Sequence, residues 1–221
     1  MTQTKDRKTS KSNALLGTRS KRSAVALLLI DVINDFEFEG GDALVRPAFR
    51  AARNIAALKR RARAAAIPTI YVNDNFGRWR SDFRKIVDSC LDNNAPGKPV
   101  VELLLPDPDD YFVLKPKHSA FYATPLDLLL RYLGSKILIL TGITVDNCVL
   151  QTAADAHMLE YELVIPADCV AAATESQKRH ALKIVENTLN ARTTRGRDLK
   201  LNVLARGSTP ERSRRRKHTY D

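Results

Sequence analysis

From about residue 24 to residue 190 the chain alternates two hydrophobic patterns. One is a short, nearly unbroken apolar run, as a parallel strand buried on both faces requires; the other places an apolar residue every three or four positions, as an amphipathic helix requires. The run at 24–30 predicts a first strand. Pro47 then opens a predicted helix in which Ala51, Ile55, Leu58 and Ala62 share one line, with Arg50, Arg53, Lys59 and Arg60 mostly off it. Pro68 to Asn73 carries the β-branched and aromatic residues of a second strand. A short helix over 82–90 and a loop over 95–99, rich in Pro and Gly, come next, then a short strand from Tyr111 that ends on Lys115.

The clearest local signal is Thr124-Pro125-Leu126-Asp127, an N-cap followed by proline at the first helical position and an acid in the first turn. Leu126, Leu129, Leu130 and Leu133 form one stripe and Gly134 is a stop, so the helix is expected over 124–133. A strand at 136–141, a helix beginning near Cys148, a strand at 162–166 and a helix at about 175–190 complete the series. Residues 199–204 leave an edge strand open. There is no internal repeat. The alternation predicts an α/β fold: a three-layer, doubly wound, mostly parallel sheet of Rossmann type with helices on both faces.

Charge changes the picture of the ends only. The formal net charge is +11, but residues 1–23 contribute +6 and residues 191–221 contribute +7, which leaves about −2 for 24–190. A single domain is therefore expected over 24–205, between a basic tail at 1–23 and another at 206–221 that contains Arg212-Ser213-Arg214-Arg215-Arg216-Lys217. Such tails are ordinarily solvated and disordered, with contact to nucleic acid or another polyanion as the competing reading. No apolar run is as long as a membrane span and Met1 to Arg22 has no signal-peptide character, so a cytoplasmic protein is expected. Cys90, Cys148 and Cys169 are odd in number and far apart, and suggest neither a disulfide framework nor a zinc site.

Three strand ends carry reactive groups. Asp31 follows the first apolar run, Lys115 ends the strand at 111–115, and Cys148 sits where an apolar strand breaks at Gly142 and a helix begins. In open parallel sheets ligands bind at such strand ends. A helix N-terminus favours thiolate and offers N–H groups to an oxyanion, which makes Cys148 a candidate nucleophile. Each has a plain structural reading as well: a buried packing thiol, a turn or cap aspartate, and a lysine whose neighbour Lys117 could be the inward one.

With these motifs in hand, the chain resembles the isochorismatase-like cysteine hydrolases, which include nicotinamidases and N-carbamoylsarcosine amidase. The resemblance runs over about 24–190 and rests on the order and spacing of Asp31, Asp35 and Phe36, of Lys115, Ser119, Ala120 and Phe121, and of Thr141 to Val149, with Thr152, Asp155 and Tyr161 to Asp168 downstream. It implies a triad of Asp31 as base, Lys115 as supporting cation and Cys148 as nucleophile, and a cis peptide between Ile143 and Thr144. The oxyanion donors are expected to be the backbone N–H groups of Thr144 and Cys148. Substrate contacts are expected from Phe36, Asn73, Phe76, Trp79 and Phe121. Nicotinamidases carry Asp and His metal ligands after strand two, where this chain has Asn73-Asp74-Asn75-Phe76 and no histidine. No metal and no cofactor are therefore expected, and nicotinamidase activity is disfavoured.

The expected reaction is hydrolysis of a C–N bond in a small amide or ureide through a thioester, in a dimer or larger homo-oligomer as the resemblance implies. Vinyl-ether hydrolysis of the isochorismatase type, which needs no thiol, and a non-enzymatic binding protein are the alternatives.

Overall fold

The computed structural model describes residues 22–75, 82–92 and 95–206. Its centre is β1 (Val25–Ile30), whose six residues have no solvent exposure. β1 lies between β2 (Thr69–Asp74) and β4 (Ile137–Ile143); β3 (Tyr111–Lys115) extends the sheet beyond β2, and β5 (Glu162–Val164) extends it beyond β4. The order is β3-β2-β1-β4-β5, with the short β6 (Val170–Ala171) also paired to β4, and every pairing is parallel.

Alternation along β1 divides the interior in two. Val25, Leu27 and Leu29 point into a core shared with α1 (Asp42–Ala64), α2 (Phe83–Asp92) and α3 (Lys98–Leu103). Ala26, Leu28 and Ile30 point into a second core lined by α4 (Leu126–Leu133), α5 (Cys148–Met158) and α6 (Glu175–Asn187). Period-two side-chain alternation between two apolar layers is the reason the strand sequence has no polar interruption.

Four of the elements depart from the sequence expectation. Helix α1 begins at Asp42 and contains Pro47 in its interior. The apolar stripe continues upstream through Leu44 and Ala48, and its burial outweighs the hydrogen bond that proline lacks. The Pro/Gly segment near 95–99 leads into α3, with Pro99 in its first turn, where a missing N–H costs nothing. Residues 199–204 add no strand: a 3-10 turn (Gly196–Asp198) and α7 (Leu201–Ala205) lay Leu199, Leu201 and Leu204 onto the α1 side of the core. Helix α4 starts at Leu126, two residues after the expected cap, and Thr124 Oγ1 still accepts the Leu126 N–H at 3.2 Å. Gly134 stops it in the left-handed conformation, φ +75°.

Candidate active site

The C-terminal ends of β1, β2, β3 and β4 deliver side chains to one place. Asp31 directly follows β1 and adopts φ +51°, a left-handed conformation that a short polar side chain tolerates. Its Oδ1 accepts the Asp74 N–H at 2.7 Å, and its Oδ2 lies 2.9 Å from Lys115 Nζ. Lys115 is the last residue of β3 and is fully buried. The same ammonium lies 3.6 Å from Asp74 Oδ2 and 3.7 Å from Cys148 Sγ, so its three N–H donors face two carboxylates and the thiol. Register accounts for part of this, because Asp74 is the cross-strand partner of Lys115.

Cys148 opens α5 after the loop 144–147, and the Ile143–Thr144 peptide is cis. Asn147 and Val149 turn their N–H groups onto the Thr144 carbonyl, at 3.2 and 3.1 Å. The N–H groups of Thr144 and Cys148 have no backbone acceptor among the described residues, which leaves them available to a ligand oxygen. Gly142 makes the approach of β4 to β1 possible: at φ +118°, a Cβ there would stand 2.0 Å from the Ile30 carbonyl oxygen. The loop after β3 is fixed to α5 on its other side. Ser119 Oγ donates to Asp155 Oδ2, and Thr152 Oγ1 accepts the Ala120 N–H at 3.0 Å. Thr152 and Asp155 lie one and two turns beyond Cys148 on the same helix.

Electrostatics set the resting protonation. Burial raises the Asp31 carboxyl above its ordinary value, and the Lys115 charge opposes the rise only in part. Burial also works against the charge of Lys115, but the Asp31 and Cys148 charges outweigh it and the ammonium is held above its ordinary value. The Cys148 thiol is pushed up to about 12, by burial first and by the Asp31 charge second. A helix N-terminus contributes about 0.3–1 kcal/mol to a nearby charge, under one pKa unit, too little to offset burial beside a carboxylate. Burial and the Asp31 charge thus both favour the protonated form of the Cys148 thiol.

Two of the expected substrate contacts are buried within the protein. Asn73 is completely buried and its carboxamide is engaged by one residue: Oδ1 accepts the Ile33 N–H at 3.3 Å and Nδ2 donates to the Ile33 carbonyl at 2.6 Å. It braces the turn after β1 against β2. Phe36 is 3% exposed and belongs to the α1 core, its ring stacked 6.4 Å from Phe38 and close over Gly97. Phe121 is half-buried with its ring 5.9 Å from Tyr161. Phe76 and Trp79 lie outside the described residues. Asp35, part of the same motif as Asp31, is a turn residue whose Oδ1 accepts the Glu37 N–H at 3.0 Å.

Two residues at the site have no counterpart in the sequence reading. Asp74 was passed over for its neighbour Asn73, yet strand alternation places the two on opposite sides, and the one aligned with Lys115 is Asp74. His118 lies at the exposed mouth with Nδ1 3.9 Å from Cys148 Sγ. Among the described residues no group of three or more His, Cys, Asp or Glu is arranged to hold a metal ion, and no helix is long and apolar enough to cross a membrane.

A family model for the isochorismatase domain matches residues 25–196, a span that holds the whole sheet and Asp31, Asp74, Lys115, His118 and Cys148. The chain belongs to the isochorismatase family. Within this family of hydrolases it is 42% identical over 169 residues to an uncharacterized isochorismatase family protein of Bacillus subtilis, covering 76% of this chain and 92% of that one. It is 31% identical to a ureidoacrylate amidohydrolase of Methylobacterium radiotolerans, over 72% of each chain, and 32% identical to a probable inactive nicotinamidase of Arabidopsis thaliana, over 67% of this chain and 81% of that one. The crystal structure of N-carbamoylsarcosine amidase from Thermoplasma acidophilum superposes with a TM-score of 0.60 at 25% identity, over 80% of this chain and 98% of that one.

Proposed function

We propose that the protein is a cysteine amidohydrolase that cleaves a C–N bond of a small, non-peptide amide or ureide through a thioester on Cys148. The observation that carries the reading is Lys115 Nζ, 2.9 Å from Asp31 and 3.7 Å from Cys148 Sγ: the acid after β1, the cation ending β3 and the thiol opening α5 form one connected set. Asp31 removes the thiol proton as sulfur attacks the carbonyl carbon. Its raised affinity for a proton suits it to that task, since a weak carboxylate base would leave the transfer from a thiol near 12 steeply uphill. Lys115 remains charged and holds the sulfur's growing negative charge beside it. The carbonyl oxygen, negative in the tetrahedral adduct, receives the N–H groups of Thr144 and Cys148. The proton on Asp31 passes to the leaving nitrogen, ammonia or an amine departs, and water hydrolyses the thioester.

The names of two family members, ureidoacrylate amidohydrolase and N-carbamoylsarcosine amidase, support a substrate in which the carbonyl carbon is bonded to nitrogen on a ureide or carbamoyl group. The test is an ammonia-release screen over small carboxamides, ureides and carbamoyl compounds, with Cys148→Ala in parallel. Turnover of a panel member that disappears in Cys148→Ala is the expected result. Isochorismate turnover that survives Cys148→Ala, with no amide hydrolysed, would replace the reading by vinyl-ether hydrolysis; no turnover of either class would favour a binding protein.

A further inference from the structure

The thiol has two sides. On one lie Asp31, 6% exposed, and Lys115, fully buried; on the exposed side stands His118, with its Nδ1 3.9 Å from Sγ. The position of His118 is set from both ends of its loop. Lys115, three residues before it, is locked into the ion pair with Asp31, and Ser119, directly after it, is buried and donates to Asp155 of α5. Ala120 is held by Thr152 of the same helix. Since α5 also carries Cys148, the imidazole and the sulfur are mounted on one clamped unit, and their proximity is a property of that unit rather than of a free loop.

The two half-reactions make different demands on that geometry. Acylation begins with removal of the proton from sulfur, the step assigned above to Asp31. Deacylation begins with water, and of the groups around the sulfur Asp31 and Lys115 are buried while His118 is exposed. Imidazole is the side chain best suited to accept and return a proton near neutral pH.

Resting on the thioester reading above, we infer that His118 is a second catalytic residue, the general base of thioester hydrolysis. In the tautomer with its proton on Nε2, Nδ1 accepts a proton from water while the water oxygen bonds to the thioester carbon. The tetrahedral adduct collapses, the C–S bond breaks, and the sulfur takes the proton back from Nδ1. The products are the free carboxylic acid and the Cys148 thiol, and the imidazole is unchanged.

An activated ester separates the two steps without knowledge of the natural substrate. With p-nitrophenyl acetate, acylation releases nitrophenol as a burst and deacylation sets the steady rate, while intact-protein mass spectrometry counts the acetyl group. Wild-type protein is expected to give a burst that Cys148→Ala lacks. His118→Ala is expected to keep the burst rate within about twofold, to lower the steady rate roughly 100-fold, and to accumulate acetyl-Cys148. His118→Gln, which can hold water but cannot take its proton, is expected to be equally slow. Wild-type deacylation rates in either variant would overturn the role of His118 and leave the thioester reading standing. Absence of any acetyl-Cys148 in wild-type protein would overturn both.

Discussion

Two buried lysines in this protein are built alike and do different work. Lys59, on α1, is 7% exposed and its Nζ contacts Asp110 Oδ2 at 2.7 Å, Asp107 Oδ2 at 3.1 Å and the Leu105 carbonyl at 2.9 Å, with the Tyr71 ring 5.2 Å away. Lys115 also meets two carboxylates, but its third neighbour is the Cys148 thiol in place of a carbonyl. Burial works against the charge in both cases. Hydrogen bonding to Asp110 and the charge of Asp31, respectively, reverse that effect and hold each ammonium above its ordinary value. A buried lysine with two acids is thus not a site in itself. What decides is whether its last donor points at an inert acceptor or at a group that can react.

The comparison breaks first at catalysis. Cys148→Ala should lower turnover of any amide found in the screen by at least about 10,000-fold, and Lys115→Met should come close to it, while Lys59→Met keeps kcat per folded molecule within about twofold. Equal losses of kcat in the two lysine variants would erase the distinction. In stability the ranking reverses in kind: Lys59→Met leaves Asp110, whose side chain is 10% exposed, without its cation, and urea unfolding should show a loss of about 3 kcal/mol.

Titration sharpens the same contrast. Because the Asp31 charge is one reason the thiol is pushed up to about 12, Asp31→Asn should lower the thiol midpoint by at least about one unit, read by ultraviolet thiolate absorbance, while abolishing turnover. A midpoint that rises in this variant would show that the carboxylate stabilises the thiolate. The sign for stability follows by linkage. An unfolded thiol ionises near 9 and the folded one near 12, so this contribution is complete below about pH 9 and is lost as pH rises towards 12. Alkaline unfolding of Cys148→Ala should lack that component. Iodoacetamide should label Cys148, half-buried, before the buried Cys90 and Cys169. The smallest effect expected is that of removing residues 1–21 and 207–221: stability within about 0.5 kcal/mol of the full chain and kcat unchanged.

Much of the fold was legible because burial on two faces forces continuous apolar strands, and the strand at 24–30 and the helix at 124–133 are read almost to the residue. Asp31 and Lys115 stood out because each ends an apolar run, and Cys148 because it begins a helix after one; the structure brings all three together. What escaped depends on register and loop path. Asn73 and Asp74 are equally polar in sequence, and only the pairing of β2 with β3 shows which of them faces Lys115. His118 is a lone histidine in a polar stretch until the Ser119–Asp155 contact folds its loop back over the helix. A helix start at Cys148 is visible in sequence, whereas the burial that raises its thiol is not.

The placement of β1 bears on how the protein would fail under stress. It is fully covered, lies between two parallel partners and feeds both cores, so its amides should exchange with solvent deuterium only when the whole molecule opens. Asp31 is the next residue. Heat or denaturant therefore has no partial opening by which to release Asp31 while sparing the sheet, and the temperature at which activity disappears should coincide with that of global unfolding.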